Sequence, residues 1–207
     1  IVGPVVATSL YAISRELERG EQVSWRTVQA VWLRWQSARG HRAGGYWSLV
    51  RFGLLLALAA TGWVVVSASL ITLMSPVHIA GPMDFVQQVV LAPDGHLFAL
   101  WLGLGSLLAA PIFASSVVAM PLLLDRQMGV LQAVLTSWLV VMANPVAMAC
   151  WAGLILLFTL LGLGALLLGL VLVMPMLGHA SWHAYRDLVD ASAFAARDTA
   201  AAEPGKG

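Results

Sequence analysis

The residues whose types and spacing come nearest to chemistry in this sequence are His179 and His183, in the run GHASWHAYRDL. Four-residue spacing sets two imidazoles on one face of a helix, a geometry used to ligate metals. Two ligands do not make a site, and no third His, Glu or Cys stands at a matching spacing. The pair remains a metal candidate; the plainer reading makes both histidines polar residues at a membrane interface, beside Trp182 and Tyr185. The other three histidines, His41, His78 and His96, belong to no motif. The single cysteine, Cys150, lies inside an apolar run, cannot form an intrachain disulfide and reads as a small buried hydrophobe.

Nucleophile chemistry has no better footing. Serines and histidines coexist, but no G-x-S-x-G elbow occurs, nor a P-loop or dinucleotide fingerprint. The GLGSL and GLGAL steps sit within apolar runs, where glycine serves close helix approach. Between Gln127 and Gly178 the Cys150 thiol is the only ionisable group. Proton relays, ion-coupled carriers and voltage sensors need charged or titratable residues within their spans. The expectation is a protein that is not an enzyme and holds no cofactor.

Such a chain must be positioned by a membrane. Of its 207 residues 60% are hydrophobic and 10% charged, against roughly 25% charged in a soluble domain. A net charge of +1 with no dense basic face excludes a nucleic-acid partner. The fold expected is all-α, a polytopic helical transmembrane bundle with two interfacial amphipathic helices.

Charged residues mark its segments. IVGPVVATSLYAI is too short for a span of about 20 residues and reads as a truncated first span over about 1–14. After the charged turn RELERGEQ, the run SWRTVQAVWLRWQ places Trp25, Val28, Val31, Trp32 and Trp35 on one face, an interfacial helix over about 24–36. Residues 46–74 form the next span, apolar except for Arg51, with Trp47 as an anchor. The loop 75–95 contains Pro76, Pro82 and Pro93, and within it DFVQQVVL suits a short interfacial helix. A span over 96–124 follows, carrying Pro111 and Pro121, then a second interfacial helix over 127–140 that includes Trp138. Residues 146–178 are free of charge, and one helix of that length would reach about 50 Å, well beyond a hydrocarbon core of about 30 Å. The Gly162-Leu163-Gly164 step allows a turn, so spans over 146–161 and 165–182 form a hairpin, with Trp182 as its last anchor. From 190 to 207 the composition suits a flexible tail.

Orientation follows from the arginines. Arg15, Arg19, Arg26, Arg34, Arg39, Arg42 and Arg51 lie in or beside the first long loop, whereas 75–95 has no Lys or Arg. The positive-inside rule puts loop 15–45 and the C-terminus in the cytoplasm and loop 75–95 in the periplasm. Arg34, Arg39, Arg42 and Arg51 are placed to meet anionic headgroups, at about 1 kcal/mol each, or a partner subunit. A faint repeat, in which a charged turn precedes VSWRTVQAVW and again MGVLQAVLTSW, suggests duplicated units.

Four segments taken together, GPVVATSLYAISRELERGEQVSW, MPLLLDR with LQAVLTSW, ANPVAMACWAGLI, and MPMLGHASWHAYRDLV, resemble the bacterial predicted integral membrane proteins grouped as domain of unknown function 2189. The resemblance runs to about Val189, and GHASWHAYRDLV is its most specific piece. It implies a fold and an inner-membrane location rather than a reaction, and an additional hairpin upstream of the truncated first span. Some members carry a label linking them to cytochrome c oxidase; the haem- and copper-bearing helices of the catalytic subunit have no counterpart here. The function expected is that of a non-catalytic accessory or structural subunit packed against a larger inner-membrane complex, respiratory and with cytochrome oxidase as the candidate. Its partners would be the lipid bilayer and other membrane subunits. The alternatives are a small membrane transporter or channel, and a metal- or haem-related oxidase assembly factor using His179 and His183.

Overall fold

The computed structural model describes residues 2–18, 20, 25, 28–29, 47–165 and 167–196, with side chains in the first helix from Ser9 onward. Among these residues the secondary structure is helical apart from one isolated bridge. The helices are α1 (Val2–Glu18), α2 (Trp47–Met74), α3 (Pro82–Phe85), α4 (His96–Ser116), α5 (Ala119–Asp125), α6 (Val130–Ala143), α7 (Pro145–Gly164) and α8 (Leu168–Leu188). A π-helical turn, Val86–Val90, continues α3.

Polarity is distributed as lipid requires. Leu58, Leu73, Leu131, Val146 and Leu172 stand exposed on their helices, while Ser9, Ser14, Asp125 and Ser137 are buried. An outer surface this apolar is untenable in water and costs nothing in hydrocarbon. Among the described residues three stretches are long and apolar enough to cross a membrane: Trp47–Met74, His96–Asp125 and Pro145–Gly164. Two of the expected spans fall outside that set. Helix α1 has 17 residues, and the polar run from His179 to Arg186 dilutes the hydropathy of α8. The helix expected over 24–36 is described only at Trp25, Val28 and Gln29, which are helical; the rest of it lies outside the described residues.

The chain divides into two compact units, Leu54–Phe113 and the remainder. Within Leu54–Phe113, the outer part of α2 and most of α4 flank the loop that holds α3. Asp84 Oδ2 accepts hydrogen bonds from the Ala80 and Gly81 N–H groups (3.0 and 3.1 Å), capping α3. The ring of Trp101 lies 5.7 Å from Trp63, 5.4 Å from Phe85 and 6.2 Å from Phe98. Its indole N–H donates to the Ser67 hydroxyl.

The other unit holds α1, α5 to α8 and the adjoining ends of α2 and α4. The span expected over 96–124, with Pro111 and Pro121 inside it, is interrupted at Val117 and Val118, between α4 and α5. Pro121 explains the position. Its ring would clash with the carbonyl four residues earlier, that of Val117, and it has no N–H to bond there. The buried Ser137 hydroxyl on α6 accepts from the Val118 N–H at 3.1 Å. A broken helix at membrane depth persists only where its backbone groups are satisfied again in this way.

Between α7 and α8 Ala165 and Leu167 are in turns, with Leu167 at φ 69°, and the two helices pack against each other. A Cβ on Gly169 would lie 2.8 Å from Gly162 Cα, and one on Gly162 would lie 3.2 Å from the Leu170 N. Only glycine at both positions lets the hairpin close. Helix α8 also packs on α1, where Gly178 admits Leu10: a Cβ there would meet the leucine Cδ1 at 2.7 Å.

The residues expected to fray are held for their first part. Gln127 N donates to the Ala195 carbonyl (3.0 Å), and Arg126 Nη1 to that of Phe194 (2.9 Å). Ala191 is buried. Small residues allow this segment to lie close against 126–127, so its composition reflects packing as well as solubility; residues 197–207 lie outside the described residues.

Candidate functional site

Five charged side chains among the described residues of the larger unit, Arg15, Glu18, Asp125, Arg126 and Arg186, gather where α1, α5 and α8 end. Arg15 lies in the last turn of α1 and Arg186 in the last turn of α8, and Arg126 caps the end of α5. A cation at a helix C-terminus offsets the negative end of the helix dipole, by about 0.3–1 kcal/mol. Two carboxylates, Glu18 and Asp125, and the indole of Trp182 complete a cleft of about 290 Å³ that Ala196 borders.

Asp125 is buried, and its Oδ2 accepts from Tyr185 Oη at 2.8 Å and from Arg126 Nε at 2.9 Å. Tyr185 is buried too, at 1% exposure. Burial is the main reason its phenol is pushed above the ordinary tyrosine value, and the neighbouring Asp125 charge and hydrogen bond add to it. Glu18, at the end of α1, takes Trp182 Nε1 on one oxygen and Arg186 Nε on the other, both at 3.1 Å. Partial burial pushes its carboxyl up, but those two hydrogen bonds and the Arg186 charge, with a further contribution from His183, prevail and hold it below the usual value.

Trp182, expected as an interfacial anchor, is instead 1% exposed. Its ring lies 6.3 Å from Tyr11 and 5.5 Å from Tyr185. The face of α8 that carries Trp182 and Tyr185 packs inward, and an indole can be buried there because Glu18 satisfies its N–H.

The histidines part company. His179 is hydrogen-bonded through Nδ1 to the buried Ser14 hydroxyl of α1, which donates its own proton to the Leu10 carbonyl at 3.0 Å. His183 is exposed, one turn further on. Among the described residues no three His, Cys, Asp or Glu side chains group as metal ligands. His78 and His96 are exposed. Cys150, expected to be buried, is exposed on α7, where an outward thiol faces apolar surroundings without penalty.

Of the remaining expected sites, Arg51 is exposed, with its guanidinium 5.5 Å from the Trp47 ring centroid. Trp25 and Trp47 are exposed; Trp138 is 37% exposed and donates to the Ser115 hydroxyl at 2.9 Å. Arg34, Arg39, Arg42, Trp32 and Trp35 lie outside the described residues. Sequence reasoning missed the meeting of Glu18, Asp125, Trp182, Tyr185 and Arg186. Its one available signal was that α1, α5 and α8 each end in charged residues on the side assigned to the cytoplasm.

No curated protein and no solved structure matches the chain. Residues 1–125 match the family described as predicted integral membrane protein (DUF2189). The match stops at Asp125, so GHASWHAYRDLV, the most specific piece of the resemblance, lies beyond it. With more than half of its length matched, the chain belongs to this family of integral membrane proteins.

Proposed function

We propose that this protein is a non-catalytic subunit of a larger complex in the bacterial inner membrane, an accessory or structural component packed against its partners within the bilayer. A respiratory complex, cytochrome oxidase first, is the partner to test. The observation that carries the reading is the division of labour among side chains. Charged groups at the ends of α1, α5 and α8 engage one another, whereas the helix flanks offer large exposed aliphatic residues. What such a molecule has left to present is an apolar flank, the surface that subunits use within a membrane.

The orientation belongs to the same proposal. Arg15, Arg126 and Arg186 line one cleft, which supports placing loop 15–45 and the C-terminal tail together in the cytoplasm and loop 75–95 in the periplasm. The helices near 24–36 and 127–140 lie in the interface on this reading. Extraction in mild detergent followed by affinity purification of the tagged chain tests it. Co-elution of stoichiometric oxidase or other respiratory subunits is expected; a protein that runs alone at its own mass in every mild detergent overturns the proposal.

A further inference from the structure

The cleft where α1, α5 and α8 end brings three guanidinium groups against two carboxylates, an arrangement that helix capping does not exhaust. Arg15, Arg126 and Arg186 face it, together with Glu18, Asp125, Trp182 and Ala196. The formal balance is one positive charge, and the helix C-termini reduce the field further. A diffuse attraction for anions is therefore weak here, and selectivity has to come from directed hydrogen bonds. Arg186 supplies them. It bonds Glu18 through Nε alone, and its side chain is 39% exposed, so among the described residues its two Nη groups keep four N–H donors for a ligand. Two such donors in one plane match a pair of phosphate oxygens. A volume of about 290 Å³ accommodates a phosphate group with part of its ester.

We infer that this cleft binds a single phosphate group, with Arg186 as its fork and Arg15 and Arg126 as the flanking positive charges. Two sources share that chemistry: the headgroup of an anionic glycerophospholipid and free inorganic phosphate. The position of the cleft, at the ends of apolar helices on the arginine-rich side, favours the lipid.

The test uses the full chain in neutral detergent. Phosphatidylglycerol, phosphatidylcholine and inorganic phosphate are titrated separately, with bound lipid counted by native mass spectrometry and thermal stability followed in parallel. Phosphatidylglycerol is expected to saturate at one molecule per chain, phosphatidylcholine, whose choline brings a positive charge beside three guanidinium groups, to bind more weakly, and R186Q to weaken the phosphatidylglycerol affinity about fivefold or more. R186K, which retains the charge without the fork, is expected to weaken it as well. E18Q/R186Q removes both partners of the pair and separates lost binding from lost folding. Saturable binding of inorganic phosphate that R186Q weakens equally identifies a soluble occupant of the same site. Failure of both phosphatidylglycerol and inorganic phosphate to saturate, or wild-type affinity in R186Q or R186K, overturns the inference.

Discussion

Tyr185 donates its phenolic proton to Asp125 at 2.8 Å, joining two residues 60 positions apart in sequence, both buried. That bond ties the end of α8 to the end of α5. A hydrogen bond to a charged group is worth about 1.5–3 kcal/mol. Y185F is expected to lose that amount, and D125N about 3 kcal/mol, because Arg126 then keeps a poorly solvated charge without its carboxylate. A double-mutant cycle by denaturant unfolding in detergent should return a coupling of about 1 kcal/mol or more; additive losses would rule the contact out.

The same tyrosine sets an alkaline limit. Its pKa in the folded protein lies above the free value of 10.0, by burial first and then by the Asp125 charge. Stability from the neutral phenol is therefore complete below pH 10 and is lost as pH rises toward the folded value. The melting temperature should fall above pH 10 in the native sequence, and the part of that fall due to Tyr185 should be absent in Y185F. Glu18 behaves in the opposite sense. Its folded pKa lies below 4.5, so its contribution is complete above that pH and is lost as pH falls through the folded value. Exposure keeps this effect small, and E18Q should flatten it.

Closure of the α7–α8 hairpin rests on Gly169 against Gly162, where a single methyl would meet backbone at 2.8 Å. G169A should cost about 1–3 kcal/mol through overpacking. G153A, on the same hairpin with nothing within 4 Å of its Cβ, should stay within about 0.5 kcal/mol. Equal effects in thermal melts would mean that the helices do not approach at these glycines.

Ser137 accepts the N–H that the break before α5 exposes. S137A should leave that group buried and unsatisfied, a loss of about 1–3 kcal/mol. Amide exchange gives the local readout: Val118 should lose protection in S137A before the rest of α5 does.

The helices were legible because apolar length and punctuation are local properties. Pro145 opens α7, Gly164 closes it, and Trp47 and Met74 bound α2 as hydropathy alone requires. Pro121 was visible as a disturbance, but its consequence appears four residues upstream and depends on Ser137, which composition does not announce. Trp182 was misread for a related reason. A tryptophan at the polar end of an apolar helix belongs at the interface unless an acceptor reaches it, and Glu18 stands 164 residues earlier. The segment after α8 looked loose because its small and polar residues have little apolar surface to bury; it is held through hydrogen bonds from Arg126 and Gln127.

That separation of 164 residues between Glu18 and Trp182 also imposes an order on biosynthesis. A ribosome adding about 5–20 residues per second delivers Trp182 and Arg186 roughly 8–30 seconds after Glu18. Throughout that interval Glu18 has water in place of the Trp182 and Arg186 donors, and a chain aborted before residue 182 never acquires them. The contact that joins the end of α1 to α8 therefore forms only after nearly all of the described chain has been made.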